Sequence, residues 1–213
     1  SNGMKKKIVK QYPVLSTDQI KVILNGTDFK PEYISNNLKD QYSITDKKIL
    51  LCVGTLLERK NQMQIVDIFA KDVNLQKKIA VIFCGKDSLN GKLQFEIERQ
   101  GLQKSLIYAG ALSSEDMKKY YSIADGLIMP SYAEGLSIAA LEAIAYGLPV
   151  IMFNDSECAD DLNDPKVVCI ASNRSNEALI EAVWNWFFSE WDRSYIENYS
   201  KRFTMERMAD DYL

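Results

Sequence analysis

Two carboxylates bracket a glycine turn in the stretch Ser131–Ile151, SYAEGLSIAALEAIAYGLPVI. Glu134 stands just before Gly135, and Glu142 lies inside the apolar helix that follows. A carboxylate accepts hydrogen bonds, as from sugar hydroxyls. The start of a helix offers the opposite chemistry: its first N–H groups have no partner within the helix and, with the helix dipole, favour an anion. Gly135 lets backbone come close to a ligand, and the N–H groups of Leu136–Ala139 point out of the helix start. Glu142 sits roughly 6 Å along the axis from Ile138, about one turn in. It repels a phosphate but can accept the hydroxyls of a neighbouring ribose. Glu134, on the other side of the anion, suits the hydroxyls of a second sugar. Acid, amide cluster and acid together fit a sugar–diphosphate–ribose. Periodicity alone favours a plainer reading of Glu142, as a glutamate on a helix surface.

Composition narrows the alternatives. The 213 residues contain no histidine, which excludes imidazole triads, imidazole metal ligands and an imidazole base within the chain. None of the four cysteines forms a C-x-x-C pair. Cys52, Cys84 and Cys169 lie in apolar runs and read as buried free thiols, as expected in a reducing, cytoplasmic compartment. Net charge is −3, from 26 basic and 29 acidic residues, and gives no case for nucleic acid. The run KKKIVK (Lys5–Lys10) reads as a solvated leader. No apolar run approaches the roughly 18 residues of a membrane span. No Asp-x-Asp motif is present, and Asp160–Asp161 and Asp210–Asp211 read as surface pairs rather than metal ligands.

The elements that must hold the two acids follow from the pattern. Six runs are nearly continuous in apolar residues: Ile49–Val53, Ile79–Cys84, Leu106–Ala109, Gly126–Met129, Val150–Phe153 and Val167–Ile170. Strands covered on both faces, as in a parallel sheet, look like this. A seventh run, Lys21–Leu24, is weaker. Between them helical spacing covers Asn61–Lys71, Leu93–Gln100, Ser113–Ala124 with SSED as a capping sequence, Ile138–Tyr146 stopped by Gly147 and Pro149, Glu177–Glu190, and a last helix near Phe203–Tyr212. The alternation predicts an α/β fold, a Rossmann-like three-layer domain on a six-stranded parallel sheet, or seven-stranded if Lys21–Leu24 joins. In such sheets ligands bind beyond the carboxyl ends of the strands, and Gly126–Met129 leads straight into Pro130 and the Ser131–Ser137 loop.

The stretch PSYAEGLSIAALEAIAYGLPVI resembles the signature of glycosyltransferase family 4, retaining enzymes of the GT-B fold that use nucleotide sugars. That signature is Glu, seven residues, Glu, a small-residue helix and G-x-P-V; here these are Glu134, Glu142 and Gly147–Leu148–Pro149–Val150. IKVILNGTDF (Ile20–Phe29), ILLCVGTLLERKN, IFCGKDS and LIYAGALSSEDMKKYYSIAD are similar to further family motifs in the same order, so the likeness runs from about Ile20 to the C-terminus. The resemblance implies that Glu134 contacts the donor sugar and is central to transfer, and that Glu142 holds the ribose. It implies that the backbone of Gly135, Leu136 and Ser137 meets the diphosphate and sugar, and that Lys60 clamps the phosphates and stabilises the leaving group. Gly85, Lys86 and Leu112 fall where the family places the nucleotide base. Thr55 occupies the family's arginine position, a departure for which Arg59, adjacent to Lys60, is the candidate substitute. The implied reaction is retaining transfer from a UDP- or GDP-sugar, without cofactor or metal, in bacterial polysaccharide or glycoconjugate synthesis.

The same resemblance sets the domain expectation. Residues 1–19 read as a leader or tag remnant and interdomain linker, 20–190 as the nucleotide-sugar domain, and 191–213 as a helical tail. The whole matches the C-terminal half of a GT-B fold. The partner is then an N-terminal acceptor-binding domain absent from this chain, and the full enzyme is compatible with peripheral membrane association. Trp184, Trp186, Phe187, Phe188, Trp191 and Tyr195 are too many aromatics for one face of one helix. Rival classes share the layers. A nicotinamide or flavin oxidoreductase calls for G-x-G-x-x-G, but VGTLLERKN has one glycine. A sugar-nucleotide epimerase needs other acid/base residues. A binding module without transfer activity draws support from Thr55.

Overall fold

The structure, a computed structural model, describes all 213 residues. In chain order the elements are α1 (Asn2–Gln11), α2 (Leu38–Gln41), β1 (Lys48–Val53), α3 (Met63–Lys71), α4 (Val73–Lys78), β2 (Ile79–Cys84), α5 (Lys92–Arg99), β3 (Leu106–Gly110), α6 (Ser114–Ile123), β4 (Gly126–Met129), α7 (Ile138–Ala145), β5 (Val150–Phe153), β6 (Val168–Ala171), α8 (Asn176–Phe188), α9 (Arg193–Ser200) and α10 (Met205–Tyr212). The six strands form one parallel sheet in the order β3-β2-β1-β4-β5-β6. Chain order runs outward from β1 to β3 on one side and from β4 to β6 on the other, so the winding reverses between β1 and β4.

The continuous apolar runs are explained by which core each residue enters. Successive side chains of a strand point to opposite faces. Ile49, Leu51, Ala80, Ile82, Leu127, Val150 and Met152 enter one core, which also holds the apolar faces of α6, α7 and α9. Leu50, Cys52, Val81, Phe83, Ile128, Ile151 and Phe153 enter the other, against α3, α5 and α8. Both faces are covered, so neither set of positions is polar. This is the three-layer arrangement expected.

Four local readings need correction. Lys21–Leu24 is not a seventh strand. It pairs with no sheet member and runs instead beside the C-terminal segment, where Lys21 Nζ donates to the Asp211 carbonyl and Thr27 N to the Phe203 carbonyl at 2.9 Å. The Lys5–Lys10 run is helical, part of α1, and Lys6 and Lys7 are paired with acids of the segment after β5. Asp161 is buried rather than a surface residue: it accepts from Asn2 N and Asn2 Nδ2. Cys169 is only half-buried, whereas Cys158, which lies outside any strand, is fully buried with Cys52 and Cys84. Burial pushes Cys52 up to about 12 and Cys158 and Cys169 to about 11, so all three stay thiols and none is a ready nucleophile at neutral pH.

The segment 191–213 contains two helices of different character. Ile196 and Tyr199 of α9 are buried against α7 in the same core as the sheet, while α10 buries no residue. The aromatics of α8 divide similarly: Trp186 is 1% exposed and Phe188 77%.

Candidate functional site

Because every strand runs the same way, the loops after β1, β2, β3 and β4 share one edge of the sheet. The two that flank the winding reversal, after β1 and after β4, carry Thr55–Lys60 and Pro130–Ser137. A crevice at such a reversal is where open α/β sheets bind ligands.

The loop after β4 has no regular structure, and its peptide groups are held from outside. Arg174 donates to the carbonyls of Pro130 and Ser131 and, at 3.3 Å, of Tyr132, while its guanidinium lies 4.4 Å from the centre of the Phe153 ring. Tyr132 N donates to the Arg59 carbonyl at 2.9 Å, and Arg59 Nη1 donates to the Ala133 carbonyl. Asn25 Nδ2 donates to the Leu136 carbonyl at 2.7 Å. Glu134 N donates to Glu157 at 2.8 Å. Beyond Glu134 the pattern stops. No protein group accepts from the amides of Gly135 through Ala140, and Ser137 at the helix start makes no capping bond. A side chain added at Gly135 would meet nothing within 4 Å. Open space therefore faces a row of free N–H donors at the positive end of α7.

The charged residues gather at this row. Lys60 Nζ lies 2.5 Å from Glu134 Oε2 and Arg59 Nη1 lies 3.4 Å from the same oxygen. The Lys60 and Glu134 side chains are each only 15% exposed, so this pair is more strongly coupled than an open surface pair. Arg59 thus turns toward the loop after β4 and adds its charge beside Lys60. Thr55 stands next to them, half-buried, its carbonyl accepting from Gln62 Nε2 at 3.1 Å.

Glu142, in the second turn of α7, is not a plain surface residue. The hydroxyl of the fully buried Tyr121 donates to its Oε2 at 2.9 Å. Burial raises the Glu142 pKa above the ordinary carboxylate value, and the Tyr121 bond opposes that rise. Tyr121 is itself fixed by stacking on Tyr146, with ring centres 5.3 Å apart. Tyr121→Phe is expected to keep the fold and to raise the Glu142 pKa further, since the bond that opposes burial is lost. An NMR titration of the Glu142 carboxyl checks this.

The remaining predicted positions lie on the same edge. Gly85 approaches the β1 loop so closely that a Cβ there would sit 2.1 Å from the Gly54 carbonyl oxygen, so only glycine fits. Lys86 is exposed and contributes its carbonyl to Leu56 N at 2.8 Å. Leu112 is half-buried against the α6–α7 core. The sequence did not single out Arg174, Glu157 or the bond from Tyr121. Two surface hollows, around Leu24, Phe203 and Arg207 and around Lys166, Trp191 and Tyr195, lie elsewhere and do not include the loop after β4.

A doubly wound parallel sheet, with free helix-start amides at its winding reversal and two acids beside them, defines a Rossmann-like α/β domain. The sequence pattern described as "Glycosyl transferases group 1" matches residues 34–203, and the chain belongs to that family. Among its relatives are an uncharacterized glycosyltransferase of Methanocaldococcus jannaschii, 24% identical over 91% of this chain and 51% of that protein, and a GDP-mannose-dependent alpha-(1-6)-phosphatidylinositol monomannoside mannosyltransferase of Mycobacterium tuberculosis, 22% identical over 80% and 46%. The chain thus spans about half the length of the curated relatives it matches. The fold is similar to that of a glycosyltransferase from Rickettsia africae (TM-score 0.84, 19% identity, 100% of this chain and 60% of that one). It is also similar to the C-terminal domain of a group 1 glycosyl transferase, LpcC, from Francisella tularensis (0.63, 16%, 86% and 95%). Anabaena HepE in complex with UDP-glucose is a third structural neighbour (0.77, 18%, 99% and 60%).

Proposed function

We propose that the chain supplies the donor site of a retaining glycosyltransferase, binding a nucleoside-diphosphate sugar across the edge between β1 and β4. The row of unpartnered amides from Gly135 to Ala140, set beside Lys60 and Arg59 and flanked by Glu134 and Glu142, carries this reading. The amides and the helix dipole take the diphosphate. Glu142 takes the ribose and Glu134 the transferred sugar, with the base lying over Gly85, Lys86 and Leu112. When the diphosphate arrives, Lys60 exchanges its carboxylate partner for a phosphate oxygen. As the glycosidic bond to the nucleotide breaks, negative charge grows on that leaving group, where the fixed amides and Lys60 lower its energy. The acceptor half of the cleft, and the choice of acceptor, belong to a further domain of the full protein.

The relatives' names, and the UDP-glucose complex of the Anabaena neighbour, support UDP or GDP as the nucleotide and glycolipid or polysaccharide synthesis as the setting. Backbone amides and basic side chains supply the positive charge, so donor binding proceeds without a metal ion and survives chelator treatment. The free thiols suit the cytoplasm, and no helix is long and apolar enough to cross a membrane. A second reading, a module that binds the nucleotide sugar without transfer, is favoured by Thr55 at the family's arginine position. Calorimetry with UDP-, GDP- and ADP-sugars, with NAD as a control, tests the donor site: binding of a nucleotide sugar is expected, and silence across the panel refutes it. Transfer by the full-length protein then separates the two readings.

A further inference from the structure

The segment after β5, around Ser156–Leu162, has no helix or strand, yet it buries a carboxylate that the donor site does not use. Glu157 is 3% exposed. Its Oε2 accepts from the Glu134 backbone N–H at 2.8 Å, and its Oε1 from Lys7 Nζ at 2.6 Å. A buried carboxylate is costly unless it is both paired and hydrogen-bonded, and here the pairing comes from α1 and the bonding from the loop after β4. Burial pushes the Glu157 pKa up, but Lys7 and the Glu134 amide outweigh it and leave it below the ordinary value.

Helix α1 is shaped to sit on this carboxylate. Gly3 packs directly on the Glu157 backbone: a Cβ at Gly3 would lie 2.5 Å from the Glu157 carbonyl oxygen and 2.6 Å from its Cα. Lys7 follows Gly3 by four residues and therefore lies on the same helix face one turn later, which brings its ammonium over the carboxylate. On the flank, Asn2 N and Nδ2 donate to Asp161, and Lys6 lies 2.7 Å from Asp160.

Resting on the donor-site reading above, we infer that Glu157 is a positioning residue for Glu134, and that α1 holds Glu157 in place through Lys7. The bond pins the Glu134 peptide at the point where the loop changes from satisfied to free N–H groups. It thereby sets where the Glu134 carboxylate meets the sugar and which way the Gly135 amide faces. The diphosphate is held by amides farther along, so displacement of Glu134 costs sugar recognition rather than nucleotide recognition.

Two measurements on the chain test this. By calorimetry, Glu157→Ala is expected to weaken the nucleotide sugar about tenfold while leaving the bare nucleoside diphosphate within about twofold. Glu157→Gln, whose carbonyl still accepts from Glu134 N but whose NH2 faces the Lys7 ammonium, and Lys7→Met, at a half-exposed site, both lose the tether to α1 and each weaken the sugar nucleotide about threefold while leaving the bare diphosphate within about twofold. Equal weakening of sugar nucleotide and bare diphosphate in both Glu157→Ala and Lys7→Met marks a merely structural role and overturns the inference, as does unchanged binding of the nucleotide sugar in Glu157→Ala. In the ligand-free chain, the Glu134 amide is expected to be protected from hydrogen exchange and to exchange at least tenfold faster in Glu157→Ala and faster in Lys7→Met. Unchanged exchange overturns the inference whether or not any nucleotide binds, whereas failure of the unaltered chain to bind nucleotide sugars refutes the donor-site reading instead.

Discussion

Glu134→Gln is expected to lower transfer by the full-length protein on the order of 10³-fold while tightening its hold on the bare nucleoside diphosphate. The two effects have one cause. Lys60 and Arg59 are both turned onto Glu134. An arriving diphosphate must compete with that carboxylate for the lysine and also feels its negative charge from the neighbouring amides. At separations of about 6 Å and an effective dielectric near 20, such a repulsion is worth roughly 1–3 kcal/mol. The amide of the variant still fills the space but carries no charge, so diphosphate affinity is expected to rise about 5- to 150-fold. The carboxylate is what the sugar loses. Calorimetry with UDP and GDP, set beside transfer rates, decides the matter: a variant that binds diphosphate more weakly shows that Glu134 supports the phosphates directly, and one that transfers normally removes it from the reaction. Lys60→Met is the natural comparison, since it weakens both diphosphate binding and transfer.

How much of this could be read beforehand depended on whether a feature is local. The six strands were evident because burial on both faces leaves an unbroken apolar run, and the bounds of β2, β4 and β5 coincide with those runs. Lys21–Leu24 has the same composition in miniature, but strand formation needs a neighbour, and the sheet ends at β3 and β6. The helix α4 escaped notice because a six-residue helix with one buried residue, Leu75, has no periodicity to show; its capping residue, Asp72, was the only cue. The helix α9 is similarly quiet, with Ile196 and Tyr199 as its buried positions.

The site divides in the same way. Glu134, Gly135 and Glu142 lie in one short stretch, and their relation to a helix start follows from spacing. What holds them does not. Lys60 meets Glu134 across 74 residues, Arg174 reaches Pro130 across 44, and Glu157 reaches Glu134 N across 23. No periodicity connects such pairs; only the order of strands in the sheet brings them together. The resemblance supplied Lys60, because its motif carries the lysine, but no motif marked Arg174 or Glu157. Tyr121 lies within the Ser113–Ala124 helical run, but nothing in that spacing shows that its hydroxyl serves Glu142.

The substitution Gly135→Val separates ligand binding from stability more cleanly than any change of a charged residue. Gly135 does not adopt a left-handed backbone conformation, and a Cβ there meets no protein atom within 4 Å. The melting temperature is therefore expected to stay within about 2 °C of the unaltered chain, since surface changes that touch nothing are usually worth less than about 0.5 kcal/mol. In the proposed donor site, the space that the valine enters is the one the diphosphate and the first sugar occupy to reach the free amides of α7. Two branched methyl groups there hold the ligand off the donors by more than a hydrogen bond tolerates, and several charge-assisted bonds lengthen together. Loss of nucleotide-sugar affinity of about 100-fold or more is expected, with Gly135→Ala, one methyl in the same space, falling between. Differential scanning calorimetry and binding titrations on the same preparations give both readouts. If the valine variant binds as tightly as the unaltered chain, the donor does not pass over this backbone, and the open space beside Glu134 serves something else.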